Sequence, residues 1–282
     1  MGEKMSWSRP VRINLEILHL KALNKKKIPE ITEAVIDESN IILEVLDARF
    51  IDETRNLDYE KMILEKKKKL IYVLNKIDLI DLSALKKRNE IQHLKPYALI
   101  SVTRKIGIDD LRNKIIIEAK KFKFENEKVV VGIVGYPNTG KSSLINALSR
   151  RGASKISKEA GFTRARQKVA LGKDVVLLDT PGIISEREYS NEDKKSLAMQ
   201  VQVGARGYDN IRDPEDVVAY LMEKHPGVIE KFYKIKSEND INILLEEIGR
   251  KKKFMKKKGE VNTDRTARFI IKNWQEGSIK IK

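Results

Sequence analysis

Apolar positions along this chain follow two patterns. Up to about residue 180, short β-type runs alternate with helical spacing; beyond residue 190 only helical spacing remains. Ile41–Leu46, Leu70–Leu74 and Tyr97–Ile100 read as strands, and Val129–Val134 is apolar throughout, as a parallel strand covered on both faces must be. Between them, Tyr59–Lys69 and Ala84–His93 carry the spacing of charged surface helices. Ile108–Lys121 opens on Asp109 and Asp110 and closes on lysines, and Gly140–Arg150 is a further helix. Lys168–Leu171 and Val175–Leu178, split by Gly172, Lys173 and Asp174, read as a hairpin. This alternation predicts an α/β fold, a doubly wound sheet of six strands with one antiparallel edge. Ala198–Val203, Asp216–Glu223, Asn239–Ile248 and Thr263–Trp274 then predict a small all-α C-terminal domain. The expected division is a basic segment over 1–30, an α/β domain over 31–188 and a basic helical domain over 189–282.

Composition narrows the chemistry. The chain has 282 residues and no cysteine, which excludes a disulfide scaffold, a thiolate zinc site and a cysteine nucleophile. No apolar run approaches a membrane span and no signal-peptide core stands at the N-terminus, so a cytoplasmic protein without membrane attachment is expected. The net charge of +16 points to a polyanionic partner. Heat adaptation or an AT-rich genome also raises Lys and Glu, but paired charges do not by themselves leave such a surplus. The excess is concentrated: residues 250–282 hold twelve basic against three acidic side chains, beginning with the run RKKKFMKKK.

The strongest chemical signal is Gly135-Tyr136-Pro137-Asn138-Thr139-Gly140-Lys141-Ser142, followed by Ser143. It matches G-x-x-x-x-G-K-[ST] between a strand and a helix. Backbone N–H groups of such a loop wrap phosphates, the Lys141 ammonium reaches the β- and γ-phosphates, and the Ser142 hydroxyl binds Mg²⁺. Asn75-Lys76-Ile77-Asp78 follows a strand directly. The Asp78 carboxylate can accept both N1–H and the exocyclic amine of guanine, a donor pair that adenine lacks. The Lys76 stem can cover the base plane, and Asn75 can tie this loop to the phosphate loop. Alone, N-K-x-D is a common turn; beside a phosphate loop it points to GTP and GDP. Asp179-Thr180-Pro181-Gly182 ends another strand, where Asp179 can hold Mg²⁺ through water and Gly182 can offer its N–H to the γ-phosphate. Thr163 lies in a loop that can complete the magnesium shell, and Ser101-Val102-Thr103 can support the guanine O6 through main-chain N–H groups.

These pieces resemble the five sequence boxes of the Ras-like GTPases in altered order: the base-reading boxes (75–78, 101–103) precede the phosphate loop and residues 179–182. That order resembles the circularly permuted GTPases of the YlqF/RbgA and YawG kind. Asp47-Ala48-Arg49 with Arg55-Asn56 resembles that family's D-A-R-x-P-x-x-x-R-N segment, except that Ile51 stands at the proline. Met1–Pro10 lacks the family's P-G-H-M segment. The resemblance covers about 30 to 185. It implies a monomeric GTPase acting in ribosomal subunit assembly, with Mg²⁺ and with K⁺ coordinated by Asn138. Ile183 follows Gly182 where many GTPases carry a water-orienting glutamine, so slow intrinsic turnover is expected. Lys141, Gly182 and, through K⁺, Asn138 are then the catalytic candidates. His19, His93 and His225 read as structural or solvated. The basic tail is expected to meet ribosomal RNA, with Arg265, Arg268 and Lys272 on phosphates; Trp274 can stack on a base, although buried packing is the more common role of tryptophan. The alternatives are a nucleotide-gated RNA-binding module that has lost turnover, and a membrane-surface GTPase.

Overall fold

Seven successive buried residues, Ile41–Asp47, form β1, the strand around which the sheet is built. The structure, a computed structural model, describes residues 31–87, 89–122, 128–149, 168–179, 194–257 and 259–281. The other strands are β2 (Lys69–Asn75), β3 (Tyr97–Leu99), β4 (Val129–Val134), β5 (Lys168–Ala170) and β6 (Val175–Asp179). Their spatial order is β3-β2-β1-β4-β6-β5. Every neighbouring pair is parallel except β5 with β6, so the expected six-stranded sheet with one antiparallel edge is what forms.

Period-two alternation explains why β1 reads as continuously apolar. Ile41, Leu43 and Val45 join a core shared with Leu111 and Ile115 of the helix Ile108–Ala119 and Leu144 and Leu148 of the helix Lys141–Ser149. Ile42 and Leu46 face the opposite layer with Ile36, Ile63, Ile91 and Leu94. The chain runs outward through β2 and β3, then returns to place β4 beside β1. The strand order therefore reverses between β1 and β4, and the loops leaving the carboxyl ends of these strands border the crevice where such sheets bind ligands.

Two expectations about helices change. The element expected over Ala84–His93 is a short helix, Leu82–Lys87, followed by a 3₁₀ segment, Asn89–Leu94. In a continuous α-helix Ile91 would lie about 240° around the axis from Leu85. The tighter 3₁₀ winding eclipses Ile91 and Leu94, and both reach the core that holds Leu85. A helix at Val228–Tyr233 was not anticipated; it occupies six residues between the Gly227 turn and left-handed Lys234.

Beyond residue 194, the described helices are Lys194–Gln202, Pro214–Lys224, Val228–Tyr233, Ile241–Lys252 and Thr263–Gln275. The final helix is capped by the Asn262 side chain, which accepts from Arg265 N–H at 3.0 Å. Its Ala267, Ile270, Ile271 and Trp274 lie at i, i+3, i+4 and i+7 and bury one stripe against Leu221, Leu244 and Ile248. Phe50 and Tyr136, from the loops after β1 and β4, belong to this same core. The sheet and the helical group are thus packed through the site loops. No helix among the described residues is long and apolar enough to cross a membrane.

Glu44 is the anomaly within β1, a carboxyl group only 1% exposed in a strand that is otherwise apolar up to its last residue, Asp47. Its Oε1 accepts Asn56 N–H at 2.9 Å, while Arg55 pairs with neighbouring Glu60 at 2.8 Å through both Nε and Nη2. Burial, and then the Glu60 charge, push the Glu44 carboxyl well above its ordinary range. The native state holds this proton more tightly than the unfolded chain does. Its stabilising contribution is complete below the ordinary carboxylate range and is lost as pH rises through the native value. Glu44→Gln keeps the acceptor for Asn56 and supplies a permanent donor toward Glu60. Urea denaturation across pH should show this decline in the wild type and a flatter profile in Glu44→Gln.

Candidate nucleotide site

β4 delivers the chain into residues 135–140 under close steric limits. Gly135 has φ 146° beside the Val45 backbone, and a side chain there would collide with the Val45 carbonyl. Gly140 has φ 103° and lies against Asn75, where a Cβ would displace the amide. Asn138 adopts a left-handed φ of 58°, which asparagine tolerates better than most residues. The helix Lys141–Ser149 then begins, with the Ser142 and Ser143 side chains exposed at its start. Lys141 is 6% exposed, and its Nζ donates to the carbonyls of Gly135 at 2.9 Å and Tyr136 at 2.8 Å. The loop therefore already curls around a cation beside a helix N-terminus. These are the two elements that attract a phosphate chain.

Asn75, the last residue of β2, joins three motifs that are distant in sequence. Its Nδ2 donates to the Thr139 carbonyl at 2.8 Å, and its Oδ1 accepts Val102 N–H at 3.2 Å. Asp78 accepts from the Ser101 hydroxyl at 2.5 Å, and that hydroxyl also accepts Arg104 N–H at 3.0 Å. The 75–78 and 101–103 segments thus form one unit clamped to the phosphate loop, with Thr103 exposed on the turn. Lys76 has φ 67° and ψ 30° and extends its Nζ to Asp47 Oδ2 at 2.7 Å. Burial alone would push the Asp47 carboxyl up. The hydrogen bonds and charge of Arg49, then Lys76, outweigh that burial and hold it below its usual value.

A cavity of about 230 Å³ opens beside Lys76 and Asn138. Its far wall is Gly204, Tyr208, Lys272 and Gln275, all from the helical group. Asn138 Nδ2 also donates to the Gly204 carbonyl. Motif spacing does not reveal that wall, because nothing in residues 204–275 matches a nucleotide motif. The only available signal was the D-A-R segment after β1, which the structure places at the junction.

The residues proposed for a magnesium ion offer hard oxygen donors, the Ser142 hydroxyl and the Asp179 carboxylate. Asp179 ends β6 in register with Ile133 of β4, on the strand beside the one that leads into the phosphate loop. No cluster of three or more His, Asp or Glu suited to a metal occurs among the described residues. A sparse hydroxyl-and-carboxylate set fits a cation that takes most of its oxygens from phosphate and water. Thr163, Thr180, Pro181, Gly182 and Ile183 lie outside the described residues, as do His19 and the 1–30 segment.

In the tail, Trp274 takes the buried one of its two roles, and Arg268 departs from the expected phosphate contact. Trp274 is 1% exposed, and its indole N–H donates to the Gln202 carbonyl at 3.2 Å, so it is core rather than a stacking surface. Arg268 donates to the carbonyls of Tyr208 and Ile211 at 2.9 Å each and pairs with Asp264. Its fork is occupied in holding a loop. Arg250–Lys252 form the basic last turn of a helix that ends at left-handed Lys253, a favourable place for cations. Lys251, Lys252, Lys256 and Lys257 are exposed. His93 meets Arg55 Nη1 at 3.2 Å and His225 meets Gln202 at 3.2 Å; burial, then Lys224, pulls the His225 imidazole down.

The family model described as "50S ribosome-binding GTPase" matches residues 130–258. The chain is 36% identical over 266 residues to a GTP-binding protein of Methanocaldococcus jannaschii, covering 92% of this chain and 68% of that protein. Against the guanine nucleotide-binding protein-like NSN1 of Arabidopsis thaliana, identity is 31% over 274 residues, covering 87% of this chain and 46% of that protein. Against nucleolar GTP-binding protein 2 of Neurospora crassa, it is 32% over 255 residues, covering 87% and 40%. The chain thus spans less than half the length of these last two relatives. Structures of T. maritima YlqF, GDP-bound and GNP-bound, share the fold with TM-scores of 0.61 and 0.62 at 24% identity. They cover 89% of this chain and 97% and 94% of their own.

Removing the Asn75 amide leaves the Thr139 carbonyl and the Val102 N–H without their partner in a buried place. Asn75→Ala should lower unfolding stability by about 1–3 kcal/mol, measured by urea denaturation in the absence of nucleotide.

Proposed function

Since the chain belongs to the circularly permuted, Ras-like GTPase family, we propose that it binds GTP and hydrolyses it to GDP and phosphate as a switch in ribosomal subunit assembly. The observation that carries the nucleotide reading is the Asn75 clamp, which sets Asp78, the 101–103 turn and the 135–142 loop around one crevice. In this reading Asp78 accepts the two guanine donors, Lys76 covers the base, and the main-chain N–H of Thr103 supports the O6, while the Val102 N–H stays on Asn75 and fixes the turn. Residues 135–143 wrap the phosphates. Lys141 exchanges its two loop carbonyls for phosphate oxygens, a stronger pairing for a buried ammonium. Ser142, Asp179 and Thr163 would hold Mg²⁺, which would supply positive charge to the bound phosphates.

Turnover is slow in this reading because Ile183 has no polar atom with which to orient water. Lys141 and the Gly182 N–H act on the γ-phosphate, and Asn138 coordinates K⁺, which supplies positive charge to the transition state. Chain order gives hydrolysis a mechanical output, because residues 179–182 lead directly into the helical group rather than into further strands. Movement of that segment on loss of the γ-phosphate reorients the basic surface of residues 250–257 on ribosomal RNA. The names of related proteins, a "50S ribosome-binding GTPase" family and nucleolar GTP-binding proteins, support that target. Phosphate contacts by lysines position the protein without choosing a sequence.

Asp78→Asn should weaken GDP binding at least about 100-fold and raise affinity for xanthosine diphosphate, whose 2-oxo group suits an amide donor. Unchanged affinity for GDP, measured by calorimetry, would sink the base-reading assignment. Phosphate release from GTP should be faster in K⁺ than in Na⁺ and faster again with ribosomal subunits present. Absence of turnover under all of these conditions would favour a nucleotide-gated RNA-binding module.

A further inference from the structure

The segment after β1 reaches the base-reading loop and the final helix at the same time. Asp47 is fully buried, and both carboxylate oxygens carry two donors. Oδ1 accepts the Arg49 main-chain N–H and Nε at 3.0 Å each; Oδ2 accepts Arg49 Nη2 at 2.8 Å and Lys76 Nζ at 2.7 Å. The strand end beneath it is fixed as well, because Thr54 Oγ1 accepts Asp47 N–H at 3.2 Å and donates to the Phe50 carbonyl at 2.6 Å. Arg49 Nη1 is left over, and it donates to the Trp274 carbonyl at 3.2 Å. That carbonyl lies in the last turn of the final helix, where the helix dipole favours a cation. The next residue, Phe50, stacks on the Trp274 ring with centroids 6.4 Å apart.

The Lys76 stem is therefore held at both ends. Its backbone sits in the left-handed region and its ammonium is tied to a carboxylate that has no freedom to turn. Four methylenes between two fixed points present one flat apolar wall beside Asp78. An untethered lysine would lose most of that order to rotamer entropy. On the other side of Asp78, Leu79 packs against Gly277, where an added Cβ would stand 2.6 Å from Leu79 Cδ1. The end of the final helix thus meets this loop directly at Leu79 and, through Arg49 and Asp47, at Lys76.

We infer that Asp47 and Arg49 are positioning residues for base recognition: Asp47 sets the Lys76 stem against the base plane, and Arg49 makes that setting depend on the docked final helix. This rests on the guanine reading given above. The coupling is reciprocal, so a guanine base pressed on Lys76 tightens the docking of the final helix, and a partner that pulls that helix away weakens nucleotide binding.

The test uses the full chain, a fluorescent GDP, and pyrophosphate as a competitor that engages the phosphate loop alone. Arg49→Lys keeps the charge and loses the bidentate fork. It should weaken GDP binding about ten-fold while leaving pyrophosphate affinity within about two-fold, a magnitude ordinary for coupled sites. Gly277→Ala, which crowds Leu79 and leaves the Asp47 cluster intact, should shift GDP affinity in the same direction. Bound GDP should also slow hydrogen exchange of amides 274–279 at least about five-fold in the wild type and much less in Arg49→Lys. Equal losses for GDP and pyrophosphate, an unchanged GDP affinity, or the same GDP-dependent protection in both proteins would overturn the inference. Failure of the wild type to prefer GDP over ADP is a separate result that removes the guanine reading itself.

Discussion

The parallel pairing of β1 with β4 is the constraint on which the site depends. Ile41 to Glu44 pair in register with Val131 to Val134, joining the β1–β2–β3 half of the sheet to the β4–β6–β5 half. Because the strands are parallel, their carboxyl ends lie on one edge, and the loops after β1, β2, β3 and β4 all open there. A one-residue slip would reverse which side chains of β1 face each layer and move Val45 away from Gly135. The close approach of Gly135 to the Val45 backbone selects against that slip, so a packing requirement secures the relative placement of the 135–140 loop and the first half of the sheet.

Two carboxylates on the same strand show how local partners decide the fate of buried charge. Glu44 and Asp47 are almost equally inaccessible. Glu44 has another carboxylate, Glu60, beside it, and the nearby Arg55 is already paired with Glu60, so burial and the Glu60 charge push the Glu44 carboxyl well above its ordinary range. Asp47 has a guanidinium and an ammonium in direct contact and stays ionised. Desolvation is common to both; the difference lies in where the cations point. Asp47 is the one at the junction between sheet and helices, and a charge that takes partners from several segments holds those segments together.

The basic tail illustrates the same division of labour. Arg268, which reads as part of an RNA-facing pattern, spends its donors on main-chain carbonyls, and Trp274 is the largest side chain in the helical core. The lysines around residues 251–257 remain on the surface. A planar fork suits several carbonyl acceptors at once, while a flexible ammonium prefers water. Within one basic stretch Arg268 is an internal strut, whereas Arg250, Lys256 and Lys257 present exposed charge.

Hydrophobic periodicity and motif spacing by themselves determined the six strands, the antiparallel edge, the helical C-terminal region and the 75–78, 101–103 and 135–142 motif segments. These depend on contacts within a few residues or on chemistry that tolerates few residue types. Only the tertiary structure decided that Ile91 and Leu94 need a 3₁₀ winding, that Trp274 is core, and that Phe50 and Tyr136 belong to the helical group. It also decided that the cavity wall opposite Lys76 comes from residues 204–275 and that Asp47 and Arg49 join the two parts. The physical reason is that a buried charge or ring is satisfied by whatever the fold brings near. The Arg49–Trp274 contact spans 225 residues, with a main-chain carbonyl as the acceptor, and a carbonyl leaves no trace in residue identity.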